Sequence, residues 1–212
     1  MTKVRVKIDG LTREEDIELV ADSGADAAGF IIGFPESCRS LSYDRVRDLL
    51  SHVPPLLSTV IVIRVEYVEE LLRSLDPRHP SALQLYGSSH HNVKLEGVSL
   101  IKVVYANQST AMEEVTEAAR RFDVVLVDSV VKGRHGGTGI THDWSLSRKI
   151  RDAIYPKPLI LAGGLSPYNV EEAIAMVKPY GVDVSSGVES EPGIKDVDKV
   201  EEFVRRAKSI DI

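Results

Sequence analysis

Two aspartates stand just past apolar runs. Asp9 follows residues 4–8 and precedes Gly10; Asp128 follows residues 124–127. A carboxylate in such a place either caps a turn or works on a ligand. Facing one another, two could take a proton from one substrate atom and return one to another. That requires environments that push their pKa values apart. Lys7 precedes Asp9 by two, so on a strand both side chains share a face. Turned inward, a lysine needs an anionic partner, so Lys7 is expected to pair with Asp9 or to support another acid. Arg39, in the loop 35–40, is either a bidentate clamp for a substrate carboxylate or a solvated cation. Gln84 sits near the end of another apolar run.

A phosphate could be held elsewhere in the chain. Gly163 and Gly164 lead through Ser166 and Pro167 into a helical pattern, and a glycine backbone at a helix start attracts an anion. Ser185, Ser186 and Gly187 add hydroxyls and a second pliant backbone. Either loop alone reads as a tight turn; the two together read as a phosphate site. The segment 133–139, GRHGGTG, lacks the P-loop order and suits a lid or a second anion contact. His135 reads as an exposed loop histidine. The pair His90-His91 has no third ligand near it, so no metal is expected. Cys38 has no base beside it in sequence, and Asp143 with Trp144 reads as a helix cap and packing.

These groups need strands to hold them. Apolar runs cover residues 4–8, 27–32, 58–63, 82–85, 100–105, 124–127, 159–161 and 182–184. Most are continuous rather than alternating, as in strands covered on both faces. Helical patterns separate them at 12–23, 42–50, 66–75, 110–121, 144–154, 167–177 and 196–207, with 86–97 the weak interval. Thr12 and Glu15 suggest a capping box for the first helix, with Gly24 as its stop. Eight such units predict an α/β chain forming one (β/α)8 TIM barrel over residues 1–212, an open doubly wound sheet being the competitor. In a barrel the chemistry gathers at the C-terminal strand ends, which is where the residues above fall. Strands one and six then lie three steps apart around the ring.

Composition narrows the class without naming an activity. The 212 residues are 43% hydrophobic and 27% charged, with net charge −6 and one cysteine. This predicts a globular cytoplasmic protein with no membrane span, no nucleic-acid partner and no internal disulfide. The first residues, MTKVRVKIDG, show no secretory pattern. Monomer and homodimer are equally open.

Nearly the whole chain resembles phosphoribosylanthranilate isomerase. The resemblance rests on KIDGLT at 7–12, SGADAAGF at 23–30, the loop 35–40, QLYG at 84–87 and LVDS at 126–129. It continues through GGTG with HDW at 136–144, AGGL at 162–165 and VDVSSGVE at 182–189. It implies a cofactor-free barrel that rearranges a small phosphorylated aminoaldose to the aminoketose. It implies Asp128 as general acid, Arg39 at the anthranilate carboxylate, and Gly163, Gly164, Ser185, Ser186 and Gly187 at the phosphate. Lys7 and Gln84 are expected to contact substrate. The family pattern K-I-C-G has a cysteine as base, and here Asp9 stands in its place. Asp9 reads as a working substitute, a disabling replacement or a sign of altered substrate range. An unperturbed carboxylate, pKa ~3.9, is a weaker base than a thiolate, ~8.5. The QLHG pattern also carries Tyr86. The aminoaldose isomerase of histidine biosynthesis is similar and has an aspartate at that strand end. It needs two phosphate loops, however, and no GG follows residues 58–63. A non-catalytic phosphate-ligand barrel is the other alternative.

Overall fold

The eight apolar runs become eight parallel strands. They are β1 (Arg5–Ile8), β2 (Ala27–Ile32), β3 (Ser58–Arg64), β4 (Ala82–Tyr86), β5 (Ser99–Ala106), β6 (Val124–Val131), β7 (Leu159–Leu161) and β8 (Gly181–Val184). Each pairs with its neighbour in sequence, and β1 pairs with both β2 and β8. That last pairing closes the ring and excludes the open sheet. The computed structural model describes residues 3–75, 79–87, 95–107, 110–131, 134–135 and 141–212.

Two apolar layers explain why the runs are continuous. Val60, Ala82, Ile101, Val103, Leu126, Ile160 and Ala162 fill the inside of the barrel. Their strand neighbours, such as Val125 and Val127 beside Leu126, pack outward against the helices. A strand with both faces covered has no solvated side to alternate with.

Seven helices lie among the described residues: α1 (Glu14–Asp22), α2 (Tyr43–Leu50), α3 (Val68–Leu75), α4 (Met112–Arg121), α5 (Trp144–Ile154), α6 (Val170–Val177) and α7 (Val197–Ser209). α7 shows why they form. Val200, Phe203, Val204 and Ala207 make one buried stripe at helical spacing, and the Asp196 side chain accepts from the Lys199 amide at 3.0 Å. Asp143 caps α5 in the same way, as expected. The capping box of the first helix does not form. Thr12 instead donates its hydroxyl to the Gly193 carbonyl, and α1 starts at Glu14 behind Arg13, which holds Asp16. The expected helix at 167–177 begins only at Val170, because Asn169 ties back to Ser166 and Gly164 and shapes the preceding residues into a turn. His90 and His91 lie outside the described residues. So does the segment 133–139, apart from Arg134–His135, whose backbone pairs antiparallel with the end of β6.

Candidate active site

A cavity of about 510 Å³ opens at the C-terminal ends of the strands. Asp9, past β1, and Asp128, on β6, both line it. The sequence expectation brought these two together, and the ring places them three strands apart through β8 and β7. Gly163, Gly164, Ser185, Ser186 and Gly187 form one wall, whereas Ile31, Phe34, Val62 and Tyr86 give another an apolar face.

Asp128 is almost wholly buried. Its Oδ1 accepts the Ser129 amide at 2.7 Å, and Tyr86 donates its hydroxyl towards Oδ2 at 3.4 Å. Burial pushes the Asp128 carboxyl up to about 6; those two hydrogen bonds and Lys7 pull the other way, while the Asp9 charge adds to the rise. A carboxyl in this state holds a proton at mildly acidic pH and can give it up. Tyr86 is fixed edge-on to Phe34, with ring centroids 5.3 Å apart.

Asp9 owes its place to a missing side chain next door. Gly29, on β2, lies where a Cβ would fall 1.9 Å from Asp9 Oδ1. That oxygen is buried and lies 3.2 Å from Lys7 Nζ, close enough to pair in charge but without the alignment of a hydrogen bond. Lys7 does point inward, as its spacing required. It donates to Asp183 Oδ1 at 3.0 Å, across the β1–β8 register in which these two residues are partners. Burial works against the Lys7 charge, but Asp183 and Asp9 outweigh it and hold its pKa above the usual lysine value. Burial lifts the Asp183 carboxyl to about 7, against the pull of Lys7 and with the push of Asp9.

Lys7 and Gln84, expected to contact substrate, sit two residues before the lining residues Asp9 and Tyr86 on the same strand faces. Each is the register partner of a residue that lines the cavity, Lys7 of Asp183 and Gln84 of Val62. Gln84 is buried there, and its Oε1 has no hydrogen-bond partner among the described residues.

Arg39 reaches the cavity, but not as a solvated cation. Its Nε and Nη2 donate to the two oxygens of Glu189 at 2.7 and 2.5 Å. Lys195 Nζ donates to the same carboxylate at 2.9 Å and to the Ser185 carbonyl at 3.2 Å. Burial pushes the Glu189 carboxyl up, yet Arg39 and Lys195 hold it below the usual range. Lys195 is itself lowered by burial, despite Glu189.

The phosphate-type wall is built from backbone. Gly163 and Gly164 have φ of +86° and +65°, which other residues rarely adopt. A Cβ on Gly187 would fall 1.9 Å from the Leu165 carbonyl oxygen. The Ser185 hydroxyl oxygen is buried, with no partner among the described residues, and Ser185 lines the cavity.

Reasoning from sequence missed Asp183, Gly29, Glu189 and Lys195. An aspartate inside the apolar run VDV was a usable signal for Asp183, because an acid there must find a cation. Gly29 and the Glu189 cluster depend on contacts between segments distant in sequence, which no local pattern carries.

Barrel and cavity together define a class: a (β/α)8-barrel enzyme with paired acids facing a glycine- and serine-built pole. Comparison with known proteins makes this specific. The family model of N-(5'-phosphoribosyl)anthranilate isomerase matches residues 6–206. The N-(5'-phosphoribosyl)anthranilate isomerase of Methanothrix thermoacetophila is 42% identical over 97% of this chain and 98% of that protein. The Haloferax volcanii isomerase is 40% identical over 97% and 93%. Among solved structures, the Thermotoga maritima phosphoribosyl anthranilate isomerase superposes with TM-score 0.80 at 36% identity, covering 98% of this chain and 100% of that one. Another isomerase of the same name, in complex with reduced 1-(o-carboxyphenylamino)-1-deoxyribulose 5-phosphate, gives 0.77 at 34% identity over 98% and 100%. The chain belongs to the N-(5'-phosphoribosyl)anthranilate isomerase family.

Proposed function

We propose that this chain isomerises N-(5'-phosphoribosyl)anthranilate to 1-(2-carboxyphenylamino)-1-deoxyribulose 5-phosphate, with Asp128 as acid and Asp9 as base. The observation that carries this reading is the pair of buried carboxyls facing one cavity, with Asp128 held at about 6. Asp128 gives its proton to the ribose ring oxygen. The C1–O bond breaks and the nitrogen lone pair forms C1=N. The Asp9 carboxylate takes the proton from C2; the C–H electrons form C1=C2, and the C=N pair returns to nitrogen. The enolamine then tautomerises to the ketone. Gly163, Gly164, Ser185, Ser186 and Gly187 hold the phosphate, and Arg39 meets the anthranilate carboxylate. Lys7, beside Asp9, and Gln84, level with Val62, add substrate contacts from the floor of the cavity. No helix among the described residues is long and apolar enough to cross a membrane. A cytoplasmic enzyme of tryptophan biosynthesis, acting as monomer or homodimer on a free metabolite, fits this reading.

Steady-state turnover of N-(5'-phosphoribosyl)anthranilate tests the proposal, using the chain, Asp9→Asn and Asp128→Asn. The chain is expected to turn over, and each variant to lose about 10²–10⁴-fold in kcat. Turnover that survives in Asp9→Asn would remove Asp9 as the base. An inert chain made active by Asp9→Cys would show an intact barrel with a disabled base.

A further inference from the structure

Glu189 is a buried acid that the reaction itself does not use, and its surroundings are asymmetric. One oxygen receives both Arg39 Nε and Lys195 Nζ; the other receives Arg39 Nη2. The three side chains are 5%, 14% and 0% exposed for Glu189, Arg39 and Lys195. Lys195 continues the chain of contacts to the Ser185 carbonyl, so one strut runs from the Arg39 loop to the Ser185 loop. Those two loops meet the cavity from strands β2 and β8.

A guanidinium has two edges suited to a carboxylate. Glu189 takes the Nε/Nη2 edge of Arg39. A ligand carboxylate is left the Nη1/Nη2 edge, in an orientation that Glu189 fixes. The Gly10 loop packs against the same arginine: a Cβ there would fall 2.7 Å from Arg39 Cδ and 2.9 Å from Ser185 Oγ. The arginine therefore has little room to swing.

We propose that Glu189 is a positioning residue which, through Lys195, sets the separation between the Arg39 guanidinium and the Ser185 loop. The cavity thereby selects ligands by the distance between a carboxylate and a phosphate. This rests on the substrate reading above and deepens it. Charge alone predicts the opposite sign, because deleting a negative group beside an anion site tightens anion binding.

The test is calorimetric binding of two probes: reduced 1-(o-carboxyphenylamino)-1-deoxyribulose 5-phosphate and inorganic phosphate. The proteins are the chain, Glu189→Gln, Arg39→Met and the double variant. Misplacing the guanidinium in Glu189→Gln is expected to weaken the two-anion ligand about 10- to 100-fold. Inorganic phosphate should change by less than about twofold, and the double variant should bind no worse than Arg39→Met. Unchanged or tighter binding of the two-anion ligand overturns the proposal. So does a parallel loss of phosphate binding, or additive effects in the double variant. Thermal melting checks folding. If Glu189→Gln does not fold, Glu189→Asp keeps the charge, withdraws the carboxylate by one methylene, and carries the same expectations. A chain that binds phosphate but not the two-anion ligand refutes the substrate reading itself, and the inference falls with it.

Discussion

Replacing Lys7 with methionine should produce a stability defect that grows with pH. Lys7 is the cation between Asp183, at 3.0 Å, and Asp9, at 3.2 Å, and all three are buried. Removing one partner of a buried ion pair costs about 3–5 kcal/mol. The pH dependence follows from Asp183. Burial lifts its carboxyl to about 7 while Lys7 holds it down. Without Lys7 it climbs higher. Lys7 also holds down Asp128, which stands at about 6, so that carboxyl rises too. Below pH 6 both carboxyls keep their protons in both folded proteins and are ionised in both unfolded chains above pH 5, so the stabilities run parallel. From pH 6 to 7 the gap begins to open through Asp128. From pH 7 to 8.5 the unmutated protein has released the Asp183 proton while Lys7→Met still binds it. The variant therefore keeps losing stability as pH rises, and Asp183 alone widens the gap by up to about 2 kcal/mol over those 1.5 units. Urea unfolding of both proteins at pH 6, 7 and 8.5 measures this. A gap constant within about 0.5 kcal/mol across the range would refute the assignment of Lys7 as the counter-charge.

Asp128 must carry a proton to act as acid and is held at about 6, so kcat/KM should fall about tenfold per pH unit well above that value. Because the Asp9 charge raises Asp128, that limb should move to lower pH in the residual turnover of Asp9→Asn, which carries no charge; a pH–rate series on both proteins decides it. Gly29→Ala puts a Cβ against Asp9 Oδ1 and should cut kcat about 10²-fold while leaving inorganic phosphate affinity in place. Gly187→Ala drives a Cβ into the Leu165 carbonyl; it should cost about 1–3 kcal/mol in a thermal melt and weaken phosphate binding.

What was legible in the sequence was whatever local pattern dictates. Continuous apolar runs announced β1 to β8 because both faces of each strand are covered, and the stripe Val200, Phe203, Val204, Ala207 announced α7. Helix starts were less legible. Thr12 looks like a cap but bonds to Gly193, 181 residues away; the Ser166 hydroxyl accepts the Tyr168 amide, yet Asn169 holds the Ser166 amide in a turn and α6 starts only at Val170. The site divided along the same line. Asp9, Asp128 and the two glycine- and serine-bearing loops could be placed because barrels put chemistry at strand ends. The cross-strand partners could not be read: Lys7 stands level with Asp183 and Gln84 with Val62 only because the strands close in this register. The Arg39–Glu189–Lys195 cluster joins a β2 loop to a β8 loop, and only the closed ring brings those together.

The unequal construction of the mouth bears on how such a protein can diversify. Around Gly163 and Gly187, backbone meets backbone: a Cβ on Gly163 would lie 2.6 Å from the Ser129 amide nitrogen, and one on Gly187 would overlap the Leu165 carbonyl. Hardly any substitution is tolerable there without shifting the main chain of a neighbouring loop. Across the opening the wall is the apolar Ile31, Phe34 and Val62, with no glycine wedged against a neighbouring main chain, whereas Tyr86 beside them is committed to Asp128. Mutational drift, natural or in the laboratory, is thus channelled to one rim. A library meant to retune which aromatic or aliphatic group enters should be drawn from Ile31, Phe34 and Val62, with Tyr86 and the opposite rim left fixed as an anchor.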